Sequence, residues 1–88
     1  MKFCLNENKE ENEKNYEIAK NYLDEKYGNY RIDNPDGSIT SIEESIQGII
    51  DAYNNYIEYN HINRQKYSII DFINEFNGQY ACFEIIKN

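Results

Sequence analysis

The chain has 88 residues and a mass of 10.5 kDa, enough for one small domain spanning 1–88 that buries roughly 60–70% of its unfolded surface. Sixteen acidic against nine basic residues give a net charge of −7, which argues against a basic patch for nucleic acid and against a polybasic membrane contact. No apolar run is long enough to span a bilayer, and Met1–Asn6 has no apolar signal region, so a cytoplasmic protein is expected.

Lys2–Leu5 reads as a short strand, followed by an Asn-, Glu- and Lys-rich stretch. Tyr16, Ala19, Leu23 and Tyr27 then fall along one stripe, with Ile18 and Tyr22 alongside, and predict a helix over about 9–27 that Gly28 stops. Glu10 with Lys14, and Glu17 with Lys20, are spaced for charge pairing on that helix. Tyr30–Asp33 and Ser38–Thr40 flank Asn34-Pro35-Asp36-Gly37, in which Pro presets φ and Gly supplies a positive one, so a hairpin is expected.

Ser41 and Glu44 have capping-box spacing ahead of Ile42, Ile46, Ile49, Ile50, Tyr53 and Ile57, a wide apolar stripe on a helix of about 42–59. Ser68 caps a third helix over about 68–77, ended at Asn77-Gly78, and 80–86 reads as a strand. The fold class is therefore α+β: three helices (about 9–27, 42–59 and 68–77) packed on a small antiparallel sheet (about 2–5, 30–33, 38–40 and 80–86).

Cys4 and Cys82 lie in the first and last apolar clusters, and read as buried reduced thiols that could be neighbours in space. There is no CxxC, and the lone His61 is 21 residues from the nearest Cys, so no zinc site or other cofactor is expected. Residues 32–43 overlay part of a calcium loop, with Asn34, Asp36, Gly37 and Glu43 in register, but Ile32 stands where the first carboxylate belongs. His61 has no recognisable Asp or Ser partner, and no phosphate loop or nucleophile motif is present. The chain is therefore read as a non-enzyme.

The pronounced feature is a charge block. From Ile32 to Asn63 there is no Lys or Arg, while Asp33, Asp36, Glu43, Glu44, Asp51 and Glu58 are acidic, so 32 residues hold −6 of the −7. Glu44, Asp51 and Glu58 fall within about 40° of one line opposite the isoleucines, spaced roughly 10.5 Å by helical rise. Gly48 and Asn55 share that outer face, with Tyr59 at its flank. An exposed helical Gly costs about 1 kcal/mol against Ala, so Gly48 is either tolerated on an ordinary solvated face or there to allow close approach by another backbone. Tyr16, Tyr22, Tyr27 and Tyr53 sit on core stripes, whereas Tyr30, Tyr56, Tyr59 and Tyr67 are free to face outward.

A carboxylate surface of this kind can occupy a groove built for phosphates, because Arg holds both groups bidentately. In size, acidity and small α+β make-up the chain resembles the phage-borne inhibitors of bacterial defence nucleases, the anti-CRISPR and antirestriction DNA mimics. The resemblance is one of character rather than of a shared motif. It implies a non-enzymatic inhibitor whose partner is a basic nucleic-acid-handling protein, and which itself binds neither nucleic acid nor membrane. The usage of 14 Asn, 14 Ile and 9 Tyr points the same way, to AT-rich codons and a low-GC bacterium, phage or plasmid. Two other readings stay open: a structural or regulatory module, homodimeric through exposed aromatics, with charge for solubility, and a calcium-responsive module.

Overall fold

The computed structural model describes residues 2–38, 40–79 and 82–87, with side chains from Lys9 onward. Helix α1 runs from Lys2 to Tyr27. At 1.5 Å per residue it is about 39 Å long, and it accounts for the long axis of a molecule measuring 40 × 24 × 24 Å. The strand expected over 2–5 does not form, because Lys2–Leu5 are the opening turns of α1. From Lys2 to Tyr27 there is neither Gly nor Pro, so a helix nucleated further along extends toward the N-terminus unopposed.

Asn15, Ala19 and Leu23, four residues apart, form the buried line of α1, and Tyr16, Tyr22 and Tyr27 pack half-buried beside them. Ile18 is turned to the surface. Among the described residues, the ion pair along α1 joins Lys20 Nζ to Asp24 Oδ2 at 2.8 Å, in place of the two pairs expected from spacing. Gly28, at φ +74°, closes the helix by donating its N–H to the Asp24 carbonyl (2.9 Å).

Strand β1 (Tyr30–Asp33) pairs antiparallel with β2 (Glu84–Lys87), setting Ile32 opposite Ile85 and Tyr30 opposite Lys87. The expected hairpin is thus corrected: the 34–37 turn closes, with Gly37 N–H donating to the Asn34 carbonyl at 3.0 Å, but Ser38 and Thr40 do not pair with β1. Instead, Asn34 Nδ2 donates to the Ser38 carbonyl (3.0 Å) and to Thr40 Oγ1 (2.8 Å), leading the chain into the next helix. β2 offers β1 a better partner, since the Ile32–Ile85 pair buries both side chains on one face. The expected 80–86 strand contracts to 84–87; Tyr80 and Ala81, like Ile39, lie outside the described residues.

Helix α2 (Ile42–Tyr59) forms as its sequence dictates, with a complete Ser41–Glu44 capping box and Ile46, Ile49, Ile50, Tyr53 and Ile57 buried. It ends in a Schellman turn: Ile62 N–H donates to the Ile57 carbonyl (2.8 Å) and His61 N–H to that of Glu58 (3.3 Å). His61 occupies the left-handed position at φ 56°, where glycine is usual. Helix α3 (Ile69–Phe76) has its own capping box, Ser68 with Asp71, and buries Ile69, Phe72 and Ile73. α1 packs against both other helices, α2 against α3 and β1, and the core lies among them. Phe72 is the hub of an aromatic cluster with Tyr53, Tyr56, Phe76 and Phe83.

Two of the tyrosines expected at the surface are half-buried: Tyr56 in that cluster, and Tyr67 stacked on Tyr53 with its hydroxyl donating to the Glu75 carboxylate. Tyr30 is buried outright, because alternation along β1 sends it inward with Ile32. Its hydroxyl donates to Asp24 Oδ1 (3.2 Å), and burial together with the Asp24 charge pushes its pKa up to about 12 from 10.0. A phenol whose pKa is raised by folding stabilises fully below pH 10 and loses that contribution as pH rises through about 12. Stability is therefore expected to fall in this alkaline window, and Tyr30→Phe to flatten the fall, as read from urea midpoints on either side of pH 10.

Asn77 joins three elements after α3. Its Oδ1 accepts the Ile85 N–H (2.8 Å), and its Nδ2 donates to the Tyr27 hydroxyl (3.3 Å). Asn77→Ala leaves a part-buried β2 donor unmatched and should cost about 1–3 kcal/mol in chemical denaturation. Asn77→Asp retains the acceptor and should recover most of the loss.

Candidate protein-binding face

The outer face of α2 is a line of solvent-exposed side chains. Glu44, Asp51 and Glu58 are all exposed, as are Gly48 and Asn55 between them, and Tyr59 at the far end is 85% exposed. The buried isoleucines on the opposite side fix this orientation. Among the described residues two ion pairs occur, Lys20–Asp24 and Arg31–Asp33, and neither involves a carboxylate of α2. The ridge is thus unneutralised by any described Lys or Arg.

The flanking acids are not equivalent. Asp33 projects from β1 and is held by Arg31 Nε at 3.1 Å, so it adds little negative field. Asp36 accepts both the N–H (3.0 Å) and the hydroxyl (2.7 Å) of Ser38, which lower its pKa. Glu43 lies a helical step of about 100° from Glu44, toward α1, where its charge adds slightly to the Asp24 hydrogen bond that raises the Lys20 pKa. Glu44 has a structural duty as well, because Oε1 accepts the Ser41 N–H at 3.4 Å in the capping box. Asp51 and Glu58 have no such internal partner among the described residues.

Asn34, the other residue aligned with a calcium-loop ligand, is engaged by the turn: its Oδ1 accepts from Ser45 Oγ (3.2 Å) while its Nδ2 holds Ser38 and Thr40. His61 is exposed at the end of α2. Cys82 is half-buried; the Cys4 side chain lies outside the described residues, so the expected Cys4–Cys82 neighbourhood does too.

A second feature was not legible as a site. Beside the ridge, Gly48 and Ala52 leave a gap on the flank of α2, which Pro35, Ile49, Phe72 and Phe83 wall into a mostly apolar recess of about 190 Å³. Asn34 and Pro35 also form the wall of an adjoining concavity lined by Asp36 and Glu44. The sequence signal was the pair of small residues four apart, Gly48 and Ala52, on a helix whose other small residue, Ser45, lines the same recess. A Cβ on Gly48 would meet nothing within 4 Å, so nothing in the chain itself requires glycine there. Gly48→Ala is accordingly expected to stabilise the protein by about 1 kcal/mol, raising Tm by roughly 4–8 °C for a domain of this size.

No family model, curated protein or solved structure matches the chain. Among the described residues no helix is long and apolar enough to cross a membrane.

Proposed function

We propose that this protein is a non-enzymatic acidic inhibitor that docks the outer face of α2 onto a basic, nucleic-acid-binding surface of a bacterial defence nuclease complex. The observation that carries the reading is the ridge of Glu44, Asp51 and Glu58: three exposed carboxylates on one helical line, none in an ion pair among the described residues. Carboxylates left without internal cations are free to engage Arg and Lys that otherwise hold phosphates. Asn55 and Tyr59 add hydrogen bonding and area at low entropic cost. With a net charge of −7, the protein suits one local basic cleft rather than a long duplex track.

The test is retention of a nucleic-acid-handling protein on the immobilised chain from a low-GC bacterial lysate, followed by elution. Release both by a salt gradient and by competing duplex DNA is expected. Retention that neither salt nor DNA disturbs overturns the reading. The competing reading, a homodimer with acidity serving solubility, is favoured by the 85% exposure of Tyr59. It requires a concentration-dependent dimer in sedimentation with no affinity for basic proteins.

A further inference from the structure

Resting on that reading, we infer that the recess beside Gly48 takes an apolar side chain of the partner, aromatic or branched aliphatic, lying next to a Lys or Arg that fills the adjoining Asp36–Glu44 concavity. The two hollows share Asn34 and Pro35 as a common wall, so adjacent residues of one segment reach both. No Lys or Arg is among the described residues lining either hollow, and the concavity that shares a wall with the apolar one carries the carboxylates of Asp36 and Glu44. An apolar pocket with carboxylates in the adjoining hollow selects an apolar group carried beside a cation. That is the form of a binding hot spot, a desolvated anchor inside a polar rim.

The missing side chain at Gly48 then has a use. A recess of about 190 Å³ stays open on the flank of α2 because neither Gly48 nor Ala52 fills it. A Cβ at Gly48 meets nothing within 4 Å, so the chain itself accommodates a side chain there without a clash. In this division of labour the ridge governs encounter and salt dependence, while the anchor governs residence time.

The experiment titrates the full chain with a short lysine-rich peptide bearing one central Phe. Two counterparts accompany it, one with Ser in place of the Phe and one glutamine-rich with the Phe kept. The lysine–Phe peptide is expected to bind about tenfold or more tighter than the lysine–Ser peptide, from burial of one aromatic side chain. Ala52→Leu, which narrows the recess from a wall position off the Glu44–Asp51–Glu58 line, should abolish that difference while leaving the salt-dependent lysine binding in place, with a thermal melt verifying the fold. Gly48→Ala should narrow the difference partly. Equal affinity of the lysine–Phe and lysine–Ser peptides overturns the anchor and leaves the acidic-face reading standing. Equal affinity of the glutamine-rich and lysine-rich Phe peptides overturns both, since the hollow then serves an uncharged apolar ligand. Binding of none of the peptides also overturns both.

Discussion

Replacing Asp51 and Glu58 together by lysine is expected to weaken binding to a basic partner by about 100-fold or more, because like charges brought together at an interface cost several kcal/mol. Each reversal changes the charge by two, so the net charge moves from −7 to −3. The fold should survive. Both side chains are exposed, and neither takes part in an ion pair among the described residues. Glu58→Lys should even stabilise the free protein by about 0.3–1 kcal/mol, since α2 has no basic residue in its last turn to complement the dipole. Binding lost while Tm holds or rises separates an interface effect from unfolding. Glu44 is kept out of the pair, because Glu44→Lys also breaks the capping box and would confuse the two. Its neutral probe is Glu44→Gln, which keeps an acceptor for the Ser41 N–H. Affinity unchanged in the double variant, measured at low salt, removes the ridge from the interface.

The largest loss of stability is expected at Ile50. It is fully buried at the centre of the α2 stripe, and Ile50→Ala should cost about 2–5 kcal/mol through lost burial and the cavity left behind. Against a total on the order of 4–13 kcal/mol for a chain of this length, that is enough to bring the protein close to its folding threshold. Ile42→Ala, on the same stripe but only half-buried, is the internal control and should cost clearly less. Urea unfolding of the two variants decides the matter through their midpoints, provided the slopes agree with the parent. Equal costs would mean that Ile50 is not at the centre of the core.

α2 was legible because every local signal agreed: capping-box spacing, an isoleucine repeat and a polar outer line specify the same helix and the same orientation. α3 was legible for the same reason, from Ser68 through Ile69, Phe72 and Ile73 to Asn77-Gly78. The sheet was not, because a four-residue strand carries little information about its partner. The turn at 34–37 is real, yet β1 pairs with the distant β2. Pairing is settled by which apolar side chain can be buried opposite Ile32, and Ile85 does this. The N-terminal strand failed for a related reason: Phe3, Cys4 and Leu5 fit either period, and only the lack of a breaker beyond them favours the helix. Tyr30 was misplaced by the same register question, since its inward aim follows from sharing a face with Ile32. The candidate ridge was readable from 100° arithmetic alone. The hollow beside it was not, because Pro35, Phe72 and Phe83 come from three separate segments that only the fold assembles.

The distribution of acids on α2 has a consequence for how the molecule responds to its medium. Glu43 and Glu44 favour the helix start, but Glu58 sits in the final turn, where the backbone carbonyls are themselves negative. The free protein therefore carries a built-in repulsion that dissolved ions relieve, within a Debye length of about 10 Å at 0.1 M. With a net charge of −7 to screen as well, added electrolyte should make the isolated protein harder to melt while making any complex through this ridge easier to dissociate. On the proposed reading, a cationic cleft would do for the helix end what the ions do, and locally, so occupancy and rigidity of the C-terminal turn of α2 are expected to rise together.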